Sequence, residues 1–427
     1  MSKAALDDIR VISMGSVWAG PYAARVLAEL GAEVIRIEFF GQGPRRGNPE
    51  LMAAWGKSLV ARGMSPADAE KVTTFIPLYA APFGGNTYNV GLDLRQDQGK
   101  EVYKNLAGVT DIVIDGWSPR VMANLGLDYT VLKELNPGII YASIPALGMS
   151  GPDRDVRMYG SGCEALSGMD SVRGYADGWP YPSSAHVPDP IAAMHILAAI
   201  LAALNHRTET GRGQQIDISQ TECATMLISD AIMDYTMNGR IARPQGNRHP
   251  YFAPHGCYRC RGKDKWVTIA VTSEDEWHNL CIATDHSDWL TEPRFSDMLS
   301  RWQNQEELDT LIEEWTGQHY HYAAQEILQN ASVRAAAVAT IDERVNYDTQ
   351  VRDRDLYQWL TYTDGVADPV ARVPWVLPKT PTRLDKGAAY TGQHNAHILG
   401  KILGMSAEEI TRLEQENVIG QVPPKTA

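Results

Sequence analysis

Short apolar runs of strand length alternate with helix-length segments in the first part of the chain. Residues 9–13 form a β-rich run, residues 21–30 have helical spacing, and residues 33–38 form a second apolar run. Together the three segments have the length of a strand–helix–strand unit. The pattern therefore predicts two parallel strands joined by a crossover helix.

The same unit recurs further along the chain. An apolar run at 90–94 precedes a helix that Asp97 is placed to cap, and strands are predicted at 111–115 and 138–144 with a helix around 131–135 between them. Alternating strands and helices are typical of a parallel sheet with helices on both faces. The predicted fold class is α/β, with a Rossmann-like, doubly wound large domain.

Later segments predict a smaller α+β domain. A helix at 190–205 and a second at 221–237 are followed by a loop rich in Gly, Arg, Pro and His, and then by a hairpin. We expect residues 1–220 and 341–427 to form the large domain, and residues 221–340 to form the small domain with its linking helix and loop. Further helices are predicted at 273–281, 303–315 and 322–330, with a last one capped by Ser406.

Composition and charge narrow the functional classes. The 427 residues are 44% hydrophobic and carry a net charge of −13, which disfavours nucleic acid and anionic membranes as partners because both need clustered basic residues. The longest apolar run, 191–204, is too short to span a bilayer, and His195 within it is a core or interface residue rather than a base. Five widely spaced cysteines fit a reducing compartment. We expect a cytoplasmic protein.

Two local motifs are weighed and set aside. Cys257 and Cys260 form a CxxC after His255, but no second ligand pair follows at metal spacing, and the surrounding pattern favours a hairpin over a zinc site. The GSVWAG segment at 15–20 has the glycine spacing of a phosphate loop, yet Pro-Tyr follows in place of Lys-Ser. It also lacks GxGxxG, so Glu38 at the end of the second strand is weak support for a dinucleotide.

Asp189 lies between Pro188 and Pro190 at the start of a long apolar helix, and two interpretations stand. As a helix cap, its carboxylate would accept backbone N–H groups, with proline in the first helical position. As a nucleophile, a rigid carboxylate held ionised beside a helix N-terminus could attack an acyl carbon. Spacing alone does not choose between them.

A set of motifs spread over nearly the whole chain is similar to the class III CoA-transferase family, which includes formyl-CoA transferase and the carnitine CoA-transferases. In chain order the motifs are VWAGPYA at 17–23, LGAEVIRIE at 30–38, LDLR at 92–95, LGLDY at 125–129, TGRGQQIDIS at 210–219 and GQHNAHIL at 392–399. The resemblance is to the subunits of succinyl-CoA:benzylsuccinate CoA-transferase more than to formyl-CoA transferase.

The resemblance implies a mechanism in which Asp189 is the catalytic nucleophile. Its carboxylate would attack the donor thioester to form an anhydride, and CoA would then pass through an aspartyl-CoA thioester to the acceptor acid. The CoA thioester is a substrate, and no permanently bound cofactor or metal is implied. The implied donor is succinyl-CoA, and the implied acceptor is benzylsuccinate or a similar aryl or dicarboxylic acid.

The same resemblance assigns contacts to CoA and to the acyl substrate. The CoA-binding residues would be Val17, Trp18, Ala19, Leu92, Leu94, Arg95, Trp117, Val121 and Arg157, and the substrate pocket would include Tyr159 and Gly160.

Four positions depart from formyl-CoA transferase. Phe39 and Asn124 stand where that enzyme has arginines, Trp18 replaces a glutamine, and Gly160 replaces a glutamate. These exchanges, together with nearby Trp179 and Tyr181, favour a roomier and more aromatic pocket. Arg120, Arg45 and Arg46 are candidates to replace the lost cations.

Two alternatives stay open. One is a racemase, but that needs a His–Asp pair around positions 159–160, where this chain has neither. The other is a non-catalytic subunit of a hetero-oligomer. The family resemblance implies an interlocked-ring dimer, formed either by two copies of this chain or with a related chain.

Overall fold

The chain forms two compact units. The computed structural model describes residues 3–15, 17–40, 83–175, 181–183, 185–361 and 367–422, with isolated positions between 57 and 66. The large unit comprises Met1–Met169, Ser183–Ser229 and Gln350–Ala427, and the small unit comprises Asp170–Pro182 and Asp230–Thr349.

A six-stranded parallel sheet forms the centre of the large unit. Its strands are β1 (Arg10–Met14), β2 (Glu33–Glu38), β3 (Tyr88–Gly91), β4 (Ile112–Asp115), β5 (Ile140–Ser143) and β6 (Gln215–Asp217). Their order is β3-β2-β1-β4-β5-β6, and every neighbouring pair is parallel. The predicted doubly wound, Rossmann-like α/β fold is confirmed. The strand order reverses between β1 and β4, and ligands bind at such switch points.

Helices cover both faces of this sheet. They are α1 (Ala19–Glu29), α2 (Asp97–Gly108), α3 (Arg120–Leu125), α4 (Tyr129–Leu135), α5 (Gly160–Ser167), the short α6 (Met169–Val172) at the unit boundary, α7 (Pro188–Thr210) and α8 (Gln220–Thr225), followed by a 3-10 turn at Met226–Ile228. One apolar cluster joins α1 and α7 to one face, and a second joins α2 to the other. Both faces are buried, which is why β1 and β4 read as nearly continuous apolar runs.

Helix α7 is the longest helix in the described residues. Its apolar residues Ala192, Ile196 and Ile200 are fully buried in the cluster it shares with α1. By length and composition alone it could cross a membrane, and 44% of its most apolar stretch is buried within the protein. Packing against α1 and α8 gives this helix a place in the core of the large unit.

The end of the chain returns to the large unit. It contributes α14 (Thr349–Asp353), the antiparallel strands β10 (Tyr357–Thr361) and β11 (Ala367–Ala371), α15 (Asn395–Lys401) and α16 (Ala407–Gln415). The predicted cap at Ser406 is confirmed by a reciprocal capping box with Glu409. The predicted cap at Asp97 is wrong: Asp97 is the first helical residue, and the side chain of Gln96 before it makes no capping hydrogen bond to the helix.

The last described residues close the edge of the parallel sheet. The N–H of Gly420 donates to the carbonyl of Gly91 at 3.1 Å, and the N–H of Asp93 donates to the carbonyl of Val418 at 2.9 Å. These bonds pair the end of β3 with the segment after α16.

The small unit contains a three-stranded antiparallel sheet of β7 (His255–Arg259), β8 (Trp266–Ala270) and β9 (Arg334–Ala337). Its helices are α9 (Ser229–Asn238), α10 (Glu274–Ala283), α11 (Met298–Gln303), α12 (Gln305–Thr316) and α13 (His321–Asn330), with a 3-10 turn at Ser287–Leu290 and a π-helical turn at Glu343–Tyr347. The predicted hairpin is confirmed, with Cys257 in β7 and Cys260 just beyond it, both as free thiols. In the described residues, no group of three or more His, Cys, Asp and Glu side chains could hold a metal.

Candidate active site

The turns that follow β1 and β4 pack closely at the switch point of the large unit. Gly15 has φ +112°, a conformation that favours glycine, and a Cβ on it would lie 3.3 Å from the Cα of Gly116. The N–H of Gly116 donates to the carbonyl of Met14 at 3.0 Å. Small residues therefore let the two turns touch directly beside the start of α1.

Asp189 lies at the N-terminus of α1 rather than capping its own helix. Helix α7 begins at Pro188, two residues earlier than predicted, and Val187 precedes it without a side-chain cap. The cap interpretation of Asp189 is therefore wrong, because proline suits the first helical position and the helix starts at the earlier of the two prolines. Instead, the N–H of Ala19 donates to Oδ1 of Asp189 at 3.3 Å, across 170 residues of sequence.

Gly160, the first residue of α5, lies against the other oxygen of this carboxylate. A Cβ built on Gly160 would lie 2.2 Å from Oδ2 of Asp189 and 2.7 Å from the Cβ of His186. Only a residue without a side chain fits this contact. The structure thus brings together two predicted site residues, Gly160 and Asp189.

Glu164, one turn further along α5, holds the loop that leads to Asp189. Its carboxylate accepts the N–H of Ser183 at 3.1 Å and the N–H of Val187 at 2.9 Å, and the Ser183 hydroxyl also donates to it. The side chain is fully buried. A buried carboxylate that accepts several hydrogen bonds fixes the backbone that donates them, so Glu164 sets the path of the chain into α7.

His186 and Trp18 flank the same place. The two rings meet edge to face with centroids 6.5 Å apart, and Trp18 stacks on Phe83 at 5.2 Å. His186 has φ +45°, and its Nδ1 is buried without a hydrogen-bond partner among the described residues. The surroundings of Asp189 are thus partly aromatic.

Burial raises the pKa of Asp189 to about 6, from an ordinary value of 3.8. The Ala19 N–H and the positive charge available to His186 lower this pKa, whereas the nearby charge of Glu164 raises it. The pKa rises because loss of hydration outweighs these local favourable contacts. The carboxylate is still mostly ionised at neutral pH.

Asp115, at the end of β4, is a second buried carboxylate at the switch point. Its Oδ1 accepts the N–H of Trp117 at 3.0 Å, and its Oδ2 accepts the hydroxyl of Tyr141 at 2.8 Å. Burial raises its pKa to about 6 as well. Asp115 therefore fixes the turn that carries Trp117, with Val121 one turn further on in α3; both of these predicted CoA contacts are half-buried.

The predicted contacts on β3 lie two strands away from β1. The side chains of Leu92 and Leu94 are buried in the apolar cluster around α2. These two residues can therefore contact a ligand only through their backbone atoms. Arg95 is 70% exposed, forms a two-pronged ion pair with Asp93, and has its guanidinium 4.2 Å from the ring centre of Phe39. The positive charge of Arg95 therefore lies over Phe39, the position at which formyl-CoA transferase has an arginine according to the resemblance.

Other predicted residues are solvent-exposed. Tyr159 is 72% exposed, and Val17 is also exposed. Arg157 is exposed and forms no ion pair within the described ranges, so its charge is available to a ligand. Arg120 is paired with Asp155. The structure leaves Arg157 as the better candidate phosphate contact of the two arginines.

Several predictions fall elsewhere. Arg45, Arg46 and Trp179 lie outside the described residues. Tyr181 is exposed in the small unit, where its ring meets that of Tyr175. Asn124 is an exposed residue of α3.

His186 and Asp115 were not selected from the sequence. In the sequence, His186 has the pattern of an ordinary loop residue two positions before a proline, and its closeness to Gly160 depends on where α5 lies. For Asp115 a signal exists, since an acidic residue ends an apolar strand directly before Gly116.

Comparisons with known proteins agree with this fold. The sequence pattern of CoA-transferase family III matches residues 6–395. A succinyl-CoA–D-citramalate CoA-transferase of Chloroflexus aurantiacus is 29% identical over 420 residues, which cover 97% of this chain and 98% of that enzyme. The alpha subunit of a succinyl-CoA–L-malate CoA-transferase of the same species is 29% identical over 418 residues, covering 97% of this chain and 92% of the subunit.

A solved structure agrees in fold. A CaiB/BaiF family protein from Brucella suis superimposes with a TM-score of 0.79 over 94% of this chain and all of that one, at 24% sequence identity.

Proposed function

This chain belongs to CoA-transferase family III, and we propose that it moves coenzyme A from succinyl-CoA to a dicarboxylic acid by way of the Asp189 carboxylate. The observation that carries the proposal is the buried carboxylate of Asp189 at the switch point, with Ala19 donating to one oxygen and the bare Cα of Gly160 beside the other.

In the proposed reaction, Oδ2 of Asp189 attacks the thioester carbonyl. The carbon–sulfur bond breaks, CoA leaves as a thiolate, and a mixed anhydride forms on Asp189. The thiolate then attacks the aspartyl carbonyl and releases succinate, which leaves an aspartyl-CoA thioester. The acceptor carboxylate attacks this thioester, expels CoA as a thiolate and forms a second mixed anhydride on Asp189. The thiolate then attacks the acceptor carbonyl of this anhydride, which gives the acceptor CoA thioester and frees Asp189.

The site supports these steps by burial. Asp189 is 5% exposed, and its surroundings include Trp18 and His186. Exclusion of water protects the anhydride and thioester from hydrolysis. The α1 N-terminus favours negative charge beside Asp189, which suits both the resting carboxylate and the oxyanion that forms on attack.

The acid pair is proposed from the relatives and the pocket. The succinyl-CoA-dependent relatives act on citramalate and malate by name, both of them dicarboxylic acids. The aromatic side chain of Trp18 beside the nucleophile suits a substituted dicarboxylate such as benzylsuccinate, which we retain as a candidate acceptor. We place this activity in the cytoplasm.

The test is covalent trapping on the purified protein. Incubation with succinyl-CoA, followed by hydroxylamine and mass spectrometry, should convert Asp189 to its hydroxamate. An acceptor screen by chromatography of the CoA esters should then include succinate, citramalate, malate and benzylsuccinate. A protein that transfers CoA but carries no adduct at Asp189 would contradict the proposed nucleophile.

A role as one subunit of a hetero-oligomer is supported by the alpha subunit among the relatives. Small-unit residues Met233, Tyr235, Met237 and Ile241 are 58–75% exposed, a patch that suits a protein interface. We propose an interlocked dimer, of either two copies or two related chains. Analytical ultracentrifugation that finds a monomer at micromolar concentration would contradict it, and an adduct that forms only with a partner chain present would support the two-chain form.

Proton exchange by an acyl-CoA racemase is the second candidate activity. The sequence offers no histidine at 159–160, but the Cβ of His186 lies against Gly160, as does Oδ2 of Asp189, which brings a histidine and an aspartate to this position. A racemase would exchange the α-hydrogen of a branched acyl-CoA in deuterated water without any acceptor acid. Exchange without an Asp189 adduct would favour the racemase over the transferase.

A further inference from the structure

One side of α5 contacts both the Asp189 carboxylate and the loop that precedes it. Gly160 lies against Oδ2 of Asp189. Glu164 follows Gly160 by four residues, so the two lie about one turn apart on the same side of the helix. The helix that packs against the proposed nucleophile therefore also carries a carboxylate, and that carboxylate is fully buried.

The Glu164 carboxylate bridges the two ends of the loop at 183–187. Its Oε2 accepts the N–H of Ser183 at 3.1 Å, and its Oε1 accepts the N–H of Val187 at 2.9 Å. The hydroxyl of Ser183 also donates to Oε1. Both oxygens thus receive a backbone donor, which suits a carboxylate, because an amide side chain has only one oxygen that can accept.

The bridged loop leads directly to the proposed nucleophile. Val187 is the last residue before α7, and Asp189 is the second residue of that helix. The N–H of Asp189 donates to the carbonyl of His186 at 3.1 Å, inside the loop. The prolines on both sides of Asp189 further restrict the backbone. With Val187 held by Glu164, few free backbone rotations remain between that bond and the Asp189 carboxylate.

The charge of Glu164 opposes the ionisation of Asp189, whose pKa it raises. The other groups that act on this pKa include His186 and the N–H of Ala19 at the start of α1, both of which lower it. Helix α5 also carries the thiol of Cys163, whose pKa is raised by burial. A neutral side chain at position 164 would favour the ionised nucleophile more. The benefit of a carboxylate at this position is therefore the geometry of its hydrogen bonds.

We propose that Glu164 is a positioning residue that clamps the loop at 183–187 and so holds the Asp189 carboxylate between the N-terminus of α1 and Gly160. Glu164 forms no covalent bond and transfers no proton in the reaction. The inference rests on the proposed function, because it takes Asp189 as the nucleophile. Misplacement of a reacting group by about 1 Å can lower a rate by about 100-fold, so loss of this clamp should be visible in kcat.

The test compares Glu164→Gln with the wild-type protein. Glutamine keeps the size of the side chain but accepts at one oxygen only, so one end of the loop loses its bond. We expect kcat for CoA transfer to fall by about 10-fold to 100-fold with the KM for succinyl-CoA unchanged. Amide hydrogen exchange over residues 183–189 should become faster. The acid limb of kcat/KM should move below pH 6, because a charge that raises the pKa of Asp189 is removed.

Glu29→Gln is the matched control. Glu29 is also fully buried and accepts a backbone N–H, that of Val373, but it lies at the far end of α1. This change should lower the melting temperature and leave kcat, the acid limb and exchange at 183–189 as in wild type.

Ser183→Ala serves as a second variant if Glu164→Gln fails to fold. It removes the hydroxyl donor and leaves the charge of Glu164 in place. We expect faster exchange at 183–189 and a kcat lowered by about threefold, with the acid limb unchanged. Wild-type exchange and kcat in this variant would contradict the clamp.

The outcomes separate the clamp from the proposed function. A folded Glu164→Gln with wild-type kcat, or with a raised KM alone, overturns the positioning role, as does a fall in kcat without faster exchange at 183–189. Wild-type protein that transfers CoA without a trapped adduct on Asp189 overturns the nucleophile instead, whatever the exchange shows. Slower transfer by Glu164→Gln, with faster exchange and the adduct still on Asp189, supports both.

Discussion

Two carboxylates at the switch point of the large unit are both almost completely buried, and their pKa values are raised to about the same value. Asp115 is 1% exposed and Asp189 is 5% exposed, and burial raises the pKa of each to about 6. They differ in their partners. Both oxygens of Asp115 accept strong hydrogen bonds, from Trp117 and Tyr141. Asp189 accepts one longer bond from Ala19, and its second oxygen faces the Cα of Gly160.

The difference separates a structural carboxylate from a reactive one. An oxygen committed to a hydrogen bond from buried protein groups is a poor nucleophile, since the bond must break before attack. Burial and a raised pKa occur at both sites and do not identify the nucleophile. What differs is the second oxygen of Asp189, which packs against a glycine in another helix and accepts no hydrogen bond from the described residues.

The largest expected effect comes from Asp189→Asn, which keeps the shape of the side chain and removes the nucleophile. CoA transfer should fall at least about 1,000-fold, with the hydroxylamine-trapped adduct lost, while Asp115→Asn keeps the adduct. Rates come from chromatography of the CoA esters, and circular dichroism checks the fold. Near-normal transfer by Asp189→Asn would show that Asp189 is not the reactive carboxylate.

Gly160→Ala should reduce kcat by about 100-fold, because the added Cβ would lie 2.2 Å from Oδ2 of Asp189 and must displace the carboxylate. Gly108→Ala is the matched control: Gly108 ends α2 and has nothing within 4 Å of its added Cβ. A steady-state comparison of the two variants checks this. Equal activity would mean that the space beside Oδ2 is not needed.

The pH dependence should follow Asp189 and not Asp115. Because the pKa of Asp189 is raised to about 6, the fraction of reactive carboxylate falls as the pH drops through 6, and kcat/KM should be about tenfold lower at pH 5 than at pH 7.5. An acid limb near pH 4 would show that burial does not control this group. Asp115→Asn should leave the limb in place.

Asp115→Asn should have the smallest effect on activity. Loss of the charged acceptor loosens the turn at Trp117, so the KM for acyl-CoA should rise about threefold with kcat unchanged. A large fall in kcat would place Asp115 in the chemistry.

The stability of the Asp115 site should also depend on pH. The folded pKa is raised above the ordinary 3.8, so the stabilisation by the protonated form is full below pH 3.8 and is lost as the pH rises through 6. Wild type should therefore lose about 2–3 kcal/mol of unfolding free energy relative to Asp115→Asn between pH 4 and pH 8. Urea denaturation at the two pH values measures this difference, and a constant difference would argue against a raised pKa.

The sheet of the large unit was predictable because its strands are buried on both faces and read as nearly continuous apolar runs. The hairpin of β10 and β11 was not predicted, since Gln358 and Thr361 interrupt the apolar pattern and Pro369 argues against a strand. The first residues of helices were harder to predict than the strands, because an acidic residue near a helix start can either cap the helix or lie in its first turn. Asp97 and Asp189 both lie in the first turn of their helices.

The candidate site was only partly within reach of the sequence. The role of Asp189 came from a family resemblance, not from its spacing, and the role remains a proposal. Its contacts with Ala19 and Gly160 are long-range and depend on how α1 and α5 pack. No local pattern marks His186, because its proximity to Gly160 exists only once α5 and the loop before α7 are in place.

The pairing of Gly91 with Gly420 has a consequence for synthesis. Strand β3 leaves the ribosome long before residues 418–420, so its outer edge stays open while most of the chain is being made. Open strand edges invite pairing with other chains. We therefore expect this edge of the nascent protein to stay exposed until residues 418–420 have been synthesised and can pair with it.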